Sequence, residues 1–131
     1  WYFRPEAEQL LISPADETPS PPCDSQPDEL DIATCIDQIQ RVTRIKVGRL
    51  LSKRAGLRTF VHDKSPVCGY ADDIDGFFWL VGQGGYGIQT APALANTAAC
   101  LLVGGDITED LSVRGVTKES LAPARLFCDR L

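Results

Sequence analysis

FFWLVGQGGYGIQTAPALANTAACLL, residues 77–102, decides how this chain is organised. Its opening, Phe77 to Val81, is aromatic and branched apolar, the composition of a strand. Its closing part repeats apolar residues with a helical period, at Ala91, Leu94, Ala95, Ala98, Leu101 and Leu102. Between them stands GQGGYG, with glycine at 82, 84, 85 and 87. A strand that passes through a glycine loop into a helix collects unpaired backbone N–H groups at one end of that helix, where they favour an anion or an electron-rich carbonyl. Glycines let such a backbone touch its ligand directly; the alternative is a tight connection whose glycines serve packing alone. Thr90 can cap the helix with Pro92 in its first turn, the alternative start being Tyr86 or Gly87. GQGGYG has the letters GxGxxG at Gly82, Gly84 and Gly87, but it comes late in the chain and is not read as the dinucleotide fingerprint, and no lysine is present for a phosphate-binding P-loop.

Upstream of this stretch, Val67 to Ala71 pairs as a second strand with Phe77 to Val81 across the acidic turn DDIDG. Asp72, Asp73 and Asp75 lack the spacing and terminal glutamate of a calcium loop and are read as a solvated turn. Leu57 to Val61 reads as a further strand carrying Arg58, whose neighbours Leu57, Thr59 and Phe60 suit a mostly covered position. A guanidinium held there either takes a carboxylate bidentately in a cleft or forms a structural ion pair. His62, the single histidine, sits beside Asp63 in the polar HDKSP stretch and reads as a loop residue.

At the N-terminal end, Trp1 to Phe3 and Gln9 to Ile12 are expected as two strands, the first bounded by Pro5. Pro14 to Pro27 is a proline-rich loop. DELDIATCIDQIQRV follows as an amphipathic helix over about 28–43, with Leu30, Ala33, Ile36, Ile39 and Val42 at three-residue steps, filled in by Ile32 and Cys35, and its acids near the positive N-terminal end. Ile107 to Leu131 is expected as a capping tail with a short helix around Lys118 to Leu121. The abrupt aromatic opening WYFRPE, without an initiator methionine, suggests that a longer protein was cut here.

Composition sets the outer bounds. A chain of 131 residues is about one domain in size. Its 13 basic and 18 acidic residues leave a net charge of -5, which argues against nucleic acid or an anionic membrane as partner. Five cysteines (Cys23, Cys35, Cys68, Cys100, Cys128) without paired spacing read as reduced thiols rather than a disulfide framework, and with one histidine they give no zinc site, so no metal is expected. The longest apolar run, near Ala98 to Val103, is too short to span a bilayer. These features point to a cytoplasm or the inner margin of its membrane.

Taken together, YFRPE, AGLRTF and GYADDIDGFFWLVGQGGYGIQTAPALANTAACLL resemble the C-terminal half of the FAD-dependent D-amino acid oxidase superfamily, in the branch of D-arginine dehydrogenase, glycine oxidase and sarcosine oxidase. The resemblance runs from Trp1 to about Leu102 and is most specific from Gly76 to Thr90. It implies an α+β fragment in which 1–60 belong to a mixed-sheet substrate domain, 61–105 to the closing part of the FAD domain, and 106–131 to the tail. It implies FAD as cofactor, with an N-terminal nucleotide-gripping half absent from this chain, so that the chain alone is expected to be inactive, without FAD, and open to self-association.

Residue by residue, the resemblance gives Gly84, Gly85, Tyr86 and Gly87 a place beside the isoalloxazine ring. Ile88, Gln89 and Thr90 fall near its pyrimidine edge and ribityl chain, and the helix start faces the flavin C2 carbonyl. Arg58 corresponds to the residue that clamps the substrate carboxylate, and Gly56 leaves room above the ring. Tyr2 either lines the same pocket from the neighbouring strand or packs as an aromatic on the sheet, and Tyr86 touches either substrate or flavin. The implied reaction is hydride transfer from the Cα of a D-amino acid, glycine or sarcosine to flavin, giving an imino acid and then an oxo acid. The alternative is a structural or FAD-binding fragment without turnover.

Overall fold

A computed structural model describes residues 1–127, so Cys128 and the end of the expected tail lie outside the described residues. The chain folds as two compact units, Trp1–Leu57 and Arg58–Leu131. The architecture is α+β in both: helices combined with small antiparallel sheets.

In the first unit, β1 (Tyr2–Glu6) pairs antiparallel with β2 (Gln9–Ser13), Tyr2 facing Ser13 and Glu6 facing Gln9. Ala7 takes a left-handed φ of 52° to close the turn. Pro5 does not bound the strand, as the sequence suggested, but lies inside it opposite Leu10. A residue without an N–H is tolerated there because β1 is an edge strand.

Helix α1 (Glu29–Val42) lies against β2. Asp28 caps it, its carboxylate accepting from the N–H groups of Leu30 at 2.8 Å and Asp31 at 3.0 Å. The buried stripe is Cys35 and Ile39, flanked by half-buried Ile32 and Ile36, while Leu30 is 74% exposed and Val42 65%. The three-residue steps expected from the sequence therefore do not mark the core face. At 3.6 residues per turn a run of such steps drifts around the helix, and only the i, i+4 pair stays beneath the contact.

In the second unit, β3 (Val67–Tyr70) and β4 (Phe78–Val81) form an antiparallel pair with Val67 opposite Val81 and Tyr70 opposite Phe78. Helix α2 (Gly87–Leu102) packs on β3, and its Leu94 and Ala98 form a core with Cys68 of β3 and Leu121. Phe78, Leu101, Ile107 and Val116 close over that core. Helix α2 ends in a Schellman motif: Gly104 at φ 77° donates to the Leu101 carbonyl at 3.1 Å, and Gly105 donates to that of Cys100 at 2.8 Å.

Two short helices follow, α3 (Glu109–Ser112) and α4 (Lys118–Leu121), the latter started by a reciprocal pair of hydrogen bonds between Thr117 and Ser120. A final 3-10 turn, Pro123–Leu126, rests against β3, where Gly69 makes room: a Cβ there would stand 3.2 Å from the Pro123 ring.

The strand expected at Leu57 to Val61 does not form; those residues are irregular backbone. The glycine loop runs beside them without forming a ladder, its extended backbone broken by Gly82 at φ 73° and Gly84 at φ 54°. One backbone hydrogen bond joins the two segments, from the Gly84 N–H to the Thr59 carbonyl at 3.0 Å.

Candidate active site

The site is built where residues 58–60 run beside residues 84–86. Gly84 lies against the Phe60 ring, so that a Cβ on Gly84 would stand 2.7 Å from ring Cδ1 and 3.1 Å from Cζ. Gly85 lies against Arg58: a Cβ at 85 would be 3.8 Å from Arg58 Cδ and Nε and 3.9 Å from Cζ. Tyr86 meets Phe60 edge-on, with ring centroids 6.5 Å apart and planes at 81°. Successive loop residues thus meet Phe60, Arg58 and Phe60 again.

Arg58 is exposed rather than covered, because the ladder that would have enclosed it is missing. Among the described residues its guanidinium forms no ion pair. A planar donor fork without a carboxylate partner is left available for bidentate recognition.

Tyr86 is the residue before α2 and provides no side-chain cap. The helix therefore begins at Gly87, the earlier of the two starts that the sequence allowed. Thr90 instead lies inside the helix, its hydroxyl donating to the Tyr86 carbonyl at 2.9 Å and its N–H to the same oxygen at 3.0 Å. Among the described residues the N–H groups of Gly87, Ile88 and Gln89 have no hydrogen-bond acceptor, and the first turn holds no acid. Ile88 projects from this turn 96% exposed. The helix start is thus a cluster of free donors with no negative charge of its own, suited to an electron-rich oxygen.

Of the other candidates, Gly56 lies on irregular backbone with open space where a Cβ would go. Tyr2 belongs to β1 of the first unit and is 45% exposed. His62 lies on an exposed turn, as the sequence indicated. Asp72, Asp73 and Asp75 line an open depression with Tyr70, Ala71 and Gly76, and no cluster among the described residues has the make-up to hold a metal ion.

Sequence reasoning missed Phe60, the residue that joins the loop to the arginine segment. The available signal was spacing, since residues 58 and 60 of an extended segment face the same side. It also missed Arg125, which donates to Asp63 at 2.7 Å through Nε and to the carbonyls of Ser65 at 2.7 Å, Pro66 at 3.2 Å and Ala122 at 2.9 Å. Arg125, together with the Ser65 N–H, holds the Asp63 carboxyl well below the usual carboxylate range, at about 2.

Comparison with known families matches the sequence model of the FAD dependent oxidoreductases to residues 1–101, a span that includes both units' sheets, Arg58, the glycine loop and most of α2. FAD is accordingly the cofactor of the parent enzyme, and oxidoreduction its class of reaction. The chain belongs to the FAD-dependent oxidoreductase family.

Proposed function

We propose that this chain supplies the carboxylate-binding and flavin-facing elements of an enzyme that oxidises amino acids of the D-amino acid, glycine or sarcosine class. The observation that carries the reading is the placement of Arg58 over the vacant Cβ position of Gly85: a guanidinium that forms no ion pair among the described residues stands beside a glycine loop that leads into an uncapped helix start.

The residues present fit the family's cofactor. The N–H groups of Gly87, Ile88 and Gln89 are donors at the N-terminal end of α2, without an acceptor among the described residues. In this reading they hold the pyrimidine carbonyl edge, where preorganised N–H dipoles favour added electron density. FAD, when bound, supplies the acceptor for the hydride removed from the substrate Cα. Gly84, Gly85 and Gly87 keep the backbone free of side chains along that edge, and Tyr86, Ile88, Gln89 and Thr90 border it. Arg58 binds the substrate carboxylate through its planar fork and so fixes the orientation of Cα. The family resemblance alone assigns Gly56 and Tyr2, both in the first unit, a substrate-side role. His62 takes no part.

The GxGxxG at Gly82, Gly84 and Gly87 is assigned here to the flavin edge, and among the described residues no strand follows α2 to complete a βαβ unit, so the proposal requires a nucleotide-gripping segment outside the chain as partner. Without that segment these residues are expected to retain FAD weakly and to show no turnover.

The test uses the FAD-loaded enzyme that contains this chain. Under exclusion of oxygen, D-amino acids, glycine and sarcosine are added in turn and bleaching of the visible flavin absorption is followed, with Arg58→Ala alongside. Bleaching by one class is expected, and the variant should need about tenfold more substrate or beyond, since a bidentate charge-assisted contact contributes about 1.5–3 kcal/mol. Bound flavin that none of these classes bleaches would remove the amino acid assignment.

A further inference from the structure

We propose that Phe60 is the positioning residue of this site: its ring sets where Arg58 stands relative to the start of α2. This inference rests on the reading of Arg58 as the carboxylate clamp.

The geometry divides the work among three neighbouring residues. Phe60 holds the loop on both sides of Gly85, packing on the α-carbon of Gly84 and edge-on against Tyr86. Gly85, the residue between them, is the one whose vacant Cβ position faces Arg58, 3.8 Å from its Cδ and Nε. The Gly84 N–H to Thr59 carbonyl bond, 3.0 Å, adds one backbone pin, and Val61 packs beside Gly82, where a Cβ would stand 3.3 Å from its Cγ1. Neither of these reaches Gly85 or Tyr86, whereas the half-buried Phe60 ring meets residues 84 and 86 and so sets the tilt of the loop around Gly85. Tyr86 immediately precedes the helix, so the same ring also orients the free N–H cluster of Gly87, Ile88 and Gln89.

Phe60 needs no contact with substrate to act in this way. Its effect passes through two groups that do the binding, and the distance between those groups must match the separation of a substrate carboxylate from the flavin edge. A misplacement on the order of 1 Å at such a site costs up to roughly a hundredfold in rate. Gly84 has to be glycine for the same reason: any side chain would occupy the space of the ring.

The experiment uses the FAD-loaded enzyme and propanoate, a carboxylate with no amine to oxidise, whose binding is read from the change in visible flavin absorption. Phe60→Ala is expected to weaken propanoate binding roughly tenfold or more, and Phe60→Leu, which keeps apolar bulk without a flat ring, by less. On an Arg58→Ala background, Phe60→Ala should add less than about twofold, since its effect is exerted through the lost guanidinium. Unchanged propanoate binding in Phe60→Ala, with Arg58→Ala weakened, overturns this proposal alone. So does a full additive loss in the double variant. Wild-type propanoate binding by Arg58→Ala overturns the carboxylate reading and this proposal with it. If Phe60→Ala does not fold, Phe60→Leu carries the same comparison, with retained flavin and melting temperature as the measure of intact structure.

Discussion

Gly84 and Phe60 share one space: the glycine adopts a φ of 54°, and the face on which a Cβ would stand is filled by the aromatic ring, with Cδ1 2.7 Å away. Neighbouring Gly85 is under no such restriction, because a Cβ there would meet Arg58 at 3.8 Å, an ordinary van der Waals contact. The two glycines should therefore separate folding from function. Gly84→Ala is expected to destabilise the protein by about 1–3 kcal/mol, combining a left-handed backbone with a displaced ring. Gly85→Ala should leave the melting temperature close to wild type while weakening FAD retention, since a methyl group would enter the edge assigned to the cofactor. Thermal melts and flavin release measured on both variants check the pair; equal stability would remove the steric account of Gly84.

The Arg125–Asp63 clamp gives a pH dependence with a definite sign. Asp63 has its carboxyl held at about 2, chiefly by the hydrogen bond from Arg125, against an ordinary value of 3.8. The folded state thus binds this proton less readily than the unfolded chain. Its contribution to stability is complete above about pH 4 and is lost as pH falls toward 2. Wild-type protein should lose stability through this window, and Asp63→Asn should lose less across it while starting from a lower value at neutral pH. Urea denaturation at stepped pH measures both slopes. Arg125→Ala should cost about 1–3 kcal/mol at neutral pH, because it also leaves the carbonyls of Ser65, Pro66 and Ala122 without their shared donor.

What the sequence made legible depended on whether the deciding contact was local. Strand β4, the glycine loop and α2 follow one another in the chain, and their order could be read from periodicity and from glycine spacing. The short helix at Lys118–Leu121 could be read for the same reason, its start being fixed by residues within its own first turn. The strand expected at Leu57 to Val61 failed because pairing depends on an extended partner, and the neighbouring loop is broken by left-handed glycines at 82 and 84, which composition at 57–61 does not encode. Asp63 and Arg125, 62 residues apart, carry no mutual signal in a single sequence. Arg58 lies between these cases: its residue type pointed to a binding role, while its exposure and its contact with Gly85 are products of the fold.

Burial should grade the thiols by reactivity. Cys35 and Cys68 are each 1% exposed, and desolvation pushes both thiols above their ordinary value, so little thiolate is available to attack. Cys23 lies exposed in the proline-rich segment beside the Ser20 hydroxyl at 3.5 Å. Among the thiols of the described residues, iodoacetamide at pH 8 with peptide mapping should label Cys23 first, and Cys35 and Cys68 only when the protein unfolds. Early labelling of Cys68 would mean that the core it shares with Leu94, Ala98 and Leu121 opens in the folded state.

Ile88 offers a way to set helix stability against cofactor affinity. Its side chain is 96% exposed on the first turn of α2, so an acidic replacement removes almost no buried apolar surface. An aspartate in that turn interacts favourably with the positive end of the helix, by about 0.3–1 kcal/mol. The same charge would stand where the electron-rich edge of the flavin is assigned, and would oppose further electron density there. Ile88→Asp should therefore leave the melting temperature of the apo-enzyme unchanged or slightly raised, while weakening FAD binding and making the bound cofactor harder to reduce. Ile88→Lys should do the reverse, lowering stability a little and easing reduction. Melting curves, FAD titration by fluorescence and a redox titration of the holo-enzyme read the two effects separately. If stability and reducibility move in the same direction in both variants, the helix start does not face the flavin.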